Sequence, residues 1–121
     1  MDQYNWATIP QEQMNPKTVR QAIHTERMTI ARIQLLQGAI VPMHHHENEQ
    51  VTIMRSGALR FVFGGSENRR EVIVRTGDVL PIPPNVPHMV EALEDSMATD
   101  VFCGRREDWI SGDDAYLRGS K

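Results

Sequence analysis

At 121 residues, with 40% apolar and 24% charged side chains, the chain is sized for one domain with a single buried core. A formal charge of −3 gives no electrostatic footprint for nucleic acid or a membrane surface, and no apolar stretch approaches the length of a bilayer span. Cys103 is the only cysteine and MDQYNWATIP has neither a basic nor an apolar leader region, so an intramolecular disulfide is excluded, a reducing cytoplasm is the expected compartment, and the cysteine reads first as a small buried hydrophobe.

Residues 1–18 carry two prolines, several Asn and Gln, and Trp6. They read as an arm, with Trp6 and Ile9 as its docking side chains. Residues 19–121 read as one domain of short strands. VRQAIH and MTIARIQLL alternate aliphatic with polar residues, and Gly38 closes the second run. Ile40 to His46 and Gln50 to Arg55 follow, with Ser56-Gly57 as a turn. ALRFVF puts Leu59, Phe61 and Phe63 on one face before the loop GGSENRR, and EVIVR is another strand. Thr76-Gly77-Asp78 turns the chain into VLPI, a strand limited by proline, and PPNVP is a rigid loop. His88 to Ala92 and Met97 to Phe102 complete the strands. The tail REDWISGDDAYLR holds the one helix the pattern supports, a turn or two long. Eight to ten short strands bounded by Gly, Pro or Asn, almost without helical periodicity, indicate an all-β sandwich or barrel.

The chemistry concentrates between Gly38 and Gly57, in GAIVPMHHHENEQVTIMRSG. A strand alternates its side chains with period two, so His44, His46 and Gln50 share one face while His45 points the other way. A second segment runs Gly77, five residues, Pro83, one residue, Asn85, two residues, His88. It starts a strand at His88, whose side chain can point inward as a fourth ligand. Three imidazole nitrogens and one amide oxygen suit a divalent transition metal, zinc, nickel, iron, manganese or copper, and leave room for water or substrate. With no carboxylate or thiolate in the set, the ion keeps nearly its full charge and favours anionic ligands. Glu47 and Glu49 flank the ligands and read as exterior or supporting residues. His24, isolated in a strand, reads as a surface or interface residue.

These two segments resemble the signature motifs of the cupin superfamily, over residues 30 to 105. The first motif usually has Glu where Gln50 stands, and the second usually has Gly at Asn85 and Asn at Ala92. Asn tolerates left-handed backbone angles, so Asn85 can do the turn work of glycine. The resemblance implies a double-stranded β-helix, a small jelly-roll barrel with an N-terminal arm, a short C-terminal helix or turn, and the metal inside. Gln50, together with DVFCGRREDW at 100–109, is similar to the KdgF-like uronate-metabolising cupins, which open 4,5-unsaturated uronates to linear 5-keto-4-deoxyuronates. That family's working Asp, Phe and Arg match Asp100, Phe102 and Arg106, although it often has Pro where this chain has Gly104 or Arg105. Small cupins resemble one another in forming dimers through sheet edges and N-terminal arms. A homodimer is therefore expected, with the 1–18 arm suited to a swap.

The residues agree with that chemistry. Asp100 and Phe102 share parity, so both can face the barrel interior. Arg106 either clamps a substrate carboxylate through two N–H groups or pairs with Glu107 or Asp108. Asp100 is the candidate general acid/base, its pKa raised by burial and lowered by a metal. The first function is thus a metal-dependent isomerase or lyase acting on a small acidic sugar. A non-haem dioxygenase is the alternative, with Met43, Met54 and Met89 lining an apolar pocket. A non-catalytic metal- or sugar-binding module is the third.

Overall fold

The computed structural model describes residues 2–64 and 68–118, so part of the GGSENRR loop lies outside the described residues. Among the described residues there are ten strands: β1 (Glu12–Asn15), β2 (Thr18–His24), β3 (Met28–Leu35), β4 (Ile40–His44), β5 (Glu49–Ser56), β6 (Ala58–Phe63), β7 (Arg70–Arg75), β8 (Val79–Ile82), β9 (His88–Ala92) and β10 (Ser96–Cys103). A short helix, α1 (Glu107–Ser111), follows them. All strand pairs are antiparallel, in a six-stranded sheet ordered β1-β2-β3-β10-β5-β8 and a four-stranded sheet ordered β4-β9-β6-β7. This is the all-β jelly roll. No helix among the described residues is long and apolar enough to cross a membrane.

One apolar cluster joins the sheets, drawing Leu35, Met54, Ile82 and Ala98 from the larger and Val41, Leu59, Phe61 and Val90 from the smaller. Alternation explains most of these positions, because residues two apart on a strand share a face. Pro81 lies in β8, an edge strand, where a missing ladder donor is tolerated. Gly57 turns β5 into β6 at φ +87°, and a Cβ there would collide with Ser96 Oγ and the carbonyl of Asp95. Cys103 departs from its expectation. It ends β10 with parity opposite to buried Phe102 and is exposed.

The N-terminal stretch contributes more than an arm, since β1 pairs with β2 and Met14 is buried. Ahead of it, buried Gln21 donates from Nε2 to the carbonyls of Trp6 (2.7 Å) and Ile9 (2.8 Å), so docking runs through the backbone as well as the side chains. The C-terminal segment is fixed by charge. Asp114, fully buried at the start of the 3₁₀ turn Ala115–Leu117, lies 2.9 Å from Arg20 Nη2 and 3.0 Å from Arg118 Nε. Arg20 is itself 2% exposed and also pairs with Glu12. Removing one member of such a buried pair strands the other, at a cost of about 3–5 kcal/mol. Asp114→Ala is expected to lower the unfolding free energy by about that amount, read from denaturant titration; a change under about 1 kcal/mol would mean that water reaches Arg20.

Candidate metal centre

His44 is the last residue of β4 and His88 the first of β9, and the two face each other across an antiparallel pair. His46 lies in the connection that follows, and Gln50 is the second residue of β5, in the opposite sheet. One continuous strand therefore does not carry His44, His46 and Gln50. The strand breaks after His44, and the chain crosses from one sheet to the other. The crossing is pinned on both sides. The carbonyl of His46 accepts from the N–H of Asn85 (2.8 Å), a residue at φ +63° that takes the left-handed turn expected of it. Buried Asn48 donates from Nδ2 to the carbonyls of Gly104 (2.7 Å) and Arg105 (3.1 Å). His45, Glu47 and Glu49 are exposed, as expected.

Each of the three histidines spends Nδ1 on a backbone carbonyl two residues away: His44 on Pro42 (2.8 Å), His46 on Asn48 (3.0 Å) and His88 on Val86 (2.8 Å). A carbonyl only accepts, so the proton sits on Nδ1 and the Nε2 lone pair is free. The ring centroids are 4.3 Å apart for His44–His88, 5.2 Å for His46–His88 and 5.7 Å for His44–His46. One nitrogen from each lies within 4.8 Å of the others. Gln50 donates from Nε2 to Thr52 Oγ1 (2.9 Å), and Thr52 donates to Asp100 Oδ1 (2.7 Å). That chain turns Gln50 Oε1 toward His46 Nε2, at 3.1 Å. Two acceptors face each other there, an arrangement that a shared cation satisfies. The donor set fits a divalent transition ion.

Burial, with the neighbouring His88, lowers the pKa of His44 to about 3, and burial with the charge of Arg106 lowers that of His46 to about 4. Burial lowers that of His88 as well. All three are neutral and competent to ligate at neutral pH. In chelator-stripped protein, an unfolded chain with histidines near 6.5 takes up protons at His44 and His46 that the fold excludes as pH drops from there toward about 4, and His88, lowered by burial as well, acts in the same direction. Asp100, raised by burial to about 6, works the other way between there and 3.8, but as one group against His44 and His46 together. The thermal midpoint of the stripped protein is expected to fall between about pH 7 and about pH 4.5; a level or rising midpoint would contradict neutral burial of these rings.

Asp100 sits opposite Thr52, and Phe102 opposite Gln50, on the facing strands β10 and β5. Both line one cavity with His44, Gln50, Thr52 and His88. Phe102 is a buried wall, 5.7 Å from His46 and 5.2 Å from Trp109 between ring centroids. Arg106 also reaches the cavity, but its Nε and Nη2 bond Asp108 at 3.0 and 2.7 Å. Of the two roles weighed for it, pairing with Asp108 is the one these contacts describe. Its guanidinium stacks 4.8 Å from the Phe102 ring centre and 4.4 Å from that of Trp109. The backbone N–H of Arg106 donates to Thr29 Oγ1 (2.9 Å), which leaves that hydroxyl to donate to His24 Nδ1 (2.7 Å). His24 is thereby half-buried in support of the Arg106 loop. None of Met43, Met54 and Met89 lines the cavity; Met43 is exposed and Met54 is packed in the core cluster.

Sequence reasoning missed Trp109 and Tyr116, which also line the cavity. Tyr116 stacks on His44 at 4.8 Å and 28°. Two large aromatics and a leucine in a 13-residue tail, REDWISGDDAYLR, were the available signal that the tail folds onto something.

The sequence profile described as a cupin domain matches residues 31–103. No curated protein matches the sequence. Among solved structures, an RmlC-like cupin from Shewanella frigidimarina is similar at 21% identity and a TM-score of 0.78, covering 88% of this chain and 93% of its own. KdgF from Halomonas sp. is similar at 24% identity and a TM-score of 0.79, covering 89% and 99%. The Bacillus subtilis oxalate decarboxylase, a protein with Mn(II) centres, is similar at 19% identity and a TM-score of 0.75 over 84% of this chain and 29% of its own. At these identities the likeness is one of fold.

Proposed function

This chain belongs to the cupin family, and on that premise we propose that it is a metal-dependent isomerase or lyase that opens a 4,5-unsaturated uronate to the linear 5-keto-4-deoxyuronate. The observation that carries the reading is the position of Asp100, a carboxyl with a pKa of about 6 in the same cavity as His44, Gln50 and His88. The similarity of DVFCGRREDW to the KdgF-like cupins supports the choice of substrate.

The ring opening conserves atoms. The bond between C1 and the ring oxygen breaks, the C1 hydroxyl gives up its proton to become a carbonyl, and C4 gains a proton as the C5 oxygen becomes a ketone. One group that can take a proton and give one back serves both ends, and a carboxyl near neutrality does this well. Thr52 fixes Asp100 by donating to Oδ1, leaving the second oxygen for the substrate. His44, His46, Gln50 and His88 would hold a divalent ion, which would supply Lewis-acid stabilisation of negative charge on oxygen. Arg106 adds fixed positive charge for the substrate carboxylate, and Phe102 excludes water between them.

The test is the ultraviolet absorbance of the conjugated double bond in unsaturated galacturonate. Loss faster than the spontaneous rate is expected with metal-loaded protein, and the spontaneous rate alone would remove the uronate reading. The apolar inner wall of the cavity, with Leu35, Leu59, Phe61 and Val90, favours a second reading, a non-haem dioxygenase acting on a small organic substrate. Oxygen uptake by iron-loaded protein distinguishes it. A module that binds metal or sugar without catalysis would show neither activity.

A further inference from the structure

Tyr116 takes no part in the chemistry above, yet it stands in the cavity with its ring on His44. Its hydroxyl oxygen accepts hydrogen bonds from Arg106 Nη2 and, at 3.4 Å, from Trp109 Nε1. A phenol oxygen offers two lone pairs, and these two donors occupy both. The hydroxyl hydrogen still needs an acceptor, and none of the described residues provides one. That hydrogen is available to whatever enters the cavity.

Arg106 is in a related position. Asp108 takes Nε and Nη2, so the guanidinium cannot offer that fork to a ligand, and only Nη1 has no partner among the described residues. Because Nη2 touches the phenol oxygen, a cationic donor and a neutral donor end up side by side, both without acceptors. Two adjacent donors next to a positive charge call for an anionic ligand with two acceptor atoms, and a carboxylate, the anion that the proposed substrate carries, meets that need. Stacking on His44 would need only a phenyl ring; the hydroxyl oxygen serves Arg106 and Trp109, and its hydrogen is the part left over. The tail is also held firmly enough to aim it: Asp114, two residues earlier, is tied to Arg20 and Arg118.

We propose that Tyr116 is a ligand-binding residue whose hydroxyl donates to one oxygen of a carboxylate while Arg106 Nη1 donates to the other. The uronate reading supplies the carboxylate, and to that extent this assignment rests on it. It differs in replacing the Arg106 fork with an Arg106–Tyr116 pair.

Titration calorimetry of metal-loaded wild type and Tyr116→Phe with D-galacturonate and D-galactose tests it. The variant keeps the ring on His44, so its metal content is expected to match wild type, while its thermal midpoint falls modestly because Arg106 Nη2 and Trp109 Nε1 lose an acceptor. One hydrogen bond to a charged group corresponds to a loss of about ten- to a hundredfold in galacturonate affinity. Galactose, which has no carboxylate, is expected to bind both proteins alike, a control that a general distortion of the cavity would not pass. Equal galacturonate affinity in the two proteins, or no galacturonate binding to wild type, overturns the assignment. If neither protein consumes unsaturated galacturonate while the galacturonate contrast holds, the ring-opening reading falls and the role of Tyr116 stands.

Discussion

Asp100→Asn is expected to lower turnover of unsaturated galacturonate by about 10²–10⁴-fold while leaving the metal content unchanged. The amide matches the carboxyl in size and keeps an oxygen for the Thr52 hydroxyl, 2.7 Å away. The bond that Gln50 Nε2 donates to Thr52 Oγ1, which orients the Gln50 amide oxygen toward His46, therefore survives. What disappears is the exchangeable proton. Burial raises the Asp100 carboxyl to about 6 against the opposing pull of Thr52, Arg106 and Gln50, so both protonation states are within reach near neutrality. A bound cation lowers that value, which puts the acid limb of kcat/KM at or below about pH 6, with the rate rising as the carboxylate forms. Unchanged turnover in the variant would leave Asp100 with a structural role only.

His46→Ala is expected to weaken metal binding by more than about a hundredfold, since losing even a supporting partner of a metal ligand costs about 10- to 100-fold. The fold should survive. His46 is half-buried in a connection, and its own contacts are the Asn48 carbonyl, Gln50 and the edge of Phe102. The apolar cluster of Leu59, Phe61 and Val90 does not include it. Loss of its hydrogen bonds costs roughly 1 kcal/mol, partly recovered because Gln50 Oε1 no longer faces a second lone pair. A metal competition titration and a denaturant titration on the same preparation separate the two effects. Global unfolding, or metal affinity equal to wild type, would contradict the roles given to this residue.

The barrel was legible because strands write their geometry into sequence at period two. ALRFVF, with Leu59 and Phe61 in the core, and VLPI, with its proline on an edge strand, are read from local chemistry alone. Asn85 could be placed in the left-handed region because few other residues tolerate it. The face shared by His44, His46 and Gln50 was argued from the wrong geometry. Parity holds only within a strand, and the chain leaves one sheet after His44 to enter the other at β5. Spacing found the ligands, but the crossing that brings them together depends on Asn48, Asn85 and the end of β10. Arg106 illustrates a second limit. Whether it would meet a ligand or Asp108 two residues on depends on how α1 begins, and that is a tertiary matter. Tyr116 was out of reach because the tail is held by Asp114 and Arg20, separated by most of the chain.

X-ray absorption at the edge of the bound metal tests the centre most directly. Three imidazole nitrogens at about 2.0–2.1 Å, with multiple scattering from three rings and oxygen in the remaining positions, is the predicted result for a zinc-loaded protein. A shell of oxygen alone, or the scattering of a single imidazole, would contradict it, because His44, His46 and His88 would not then share one ion.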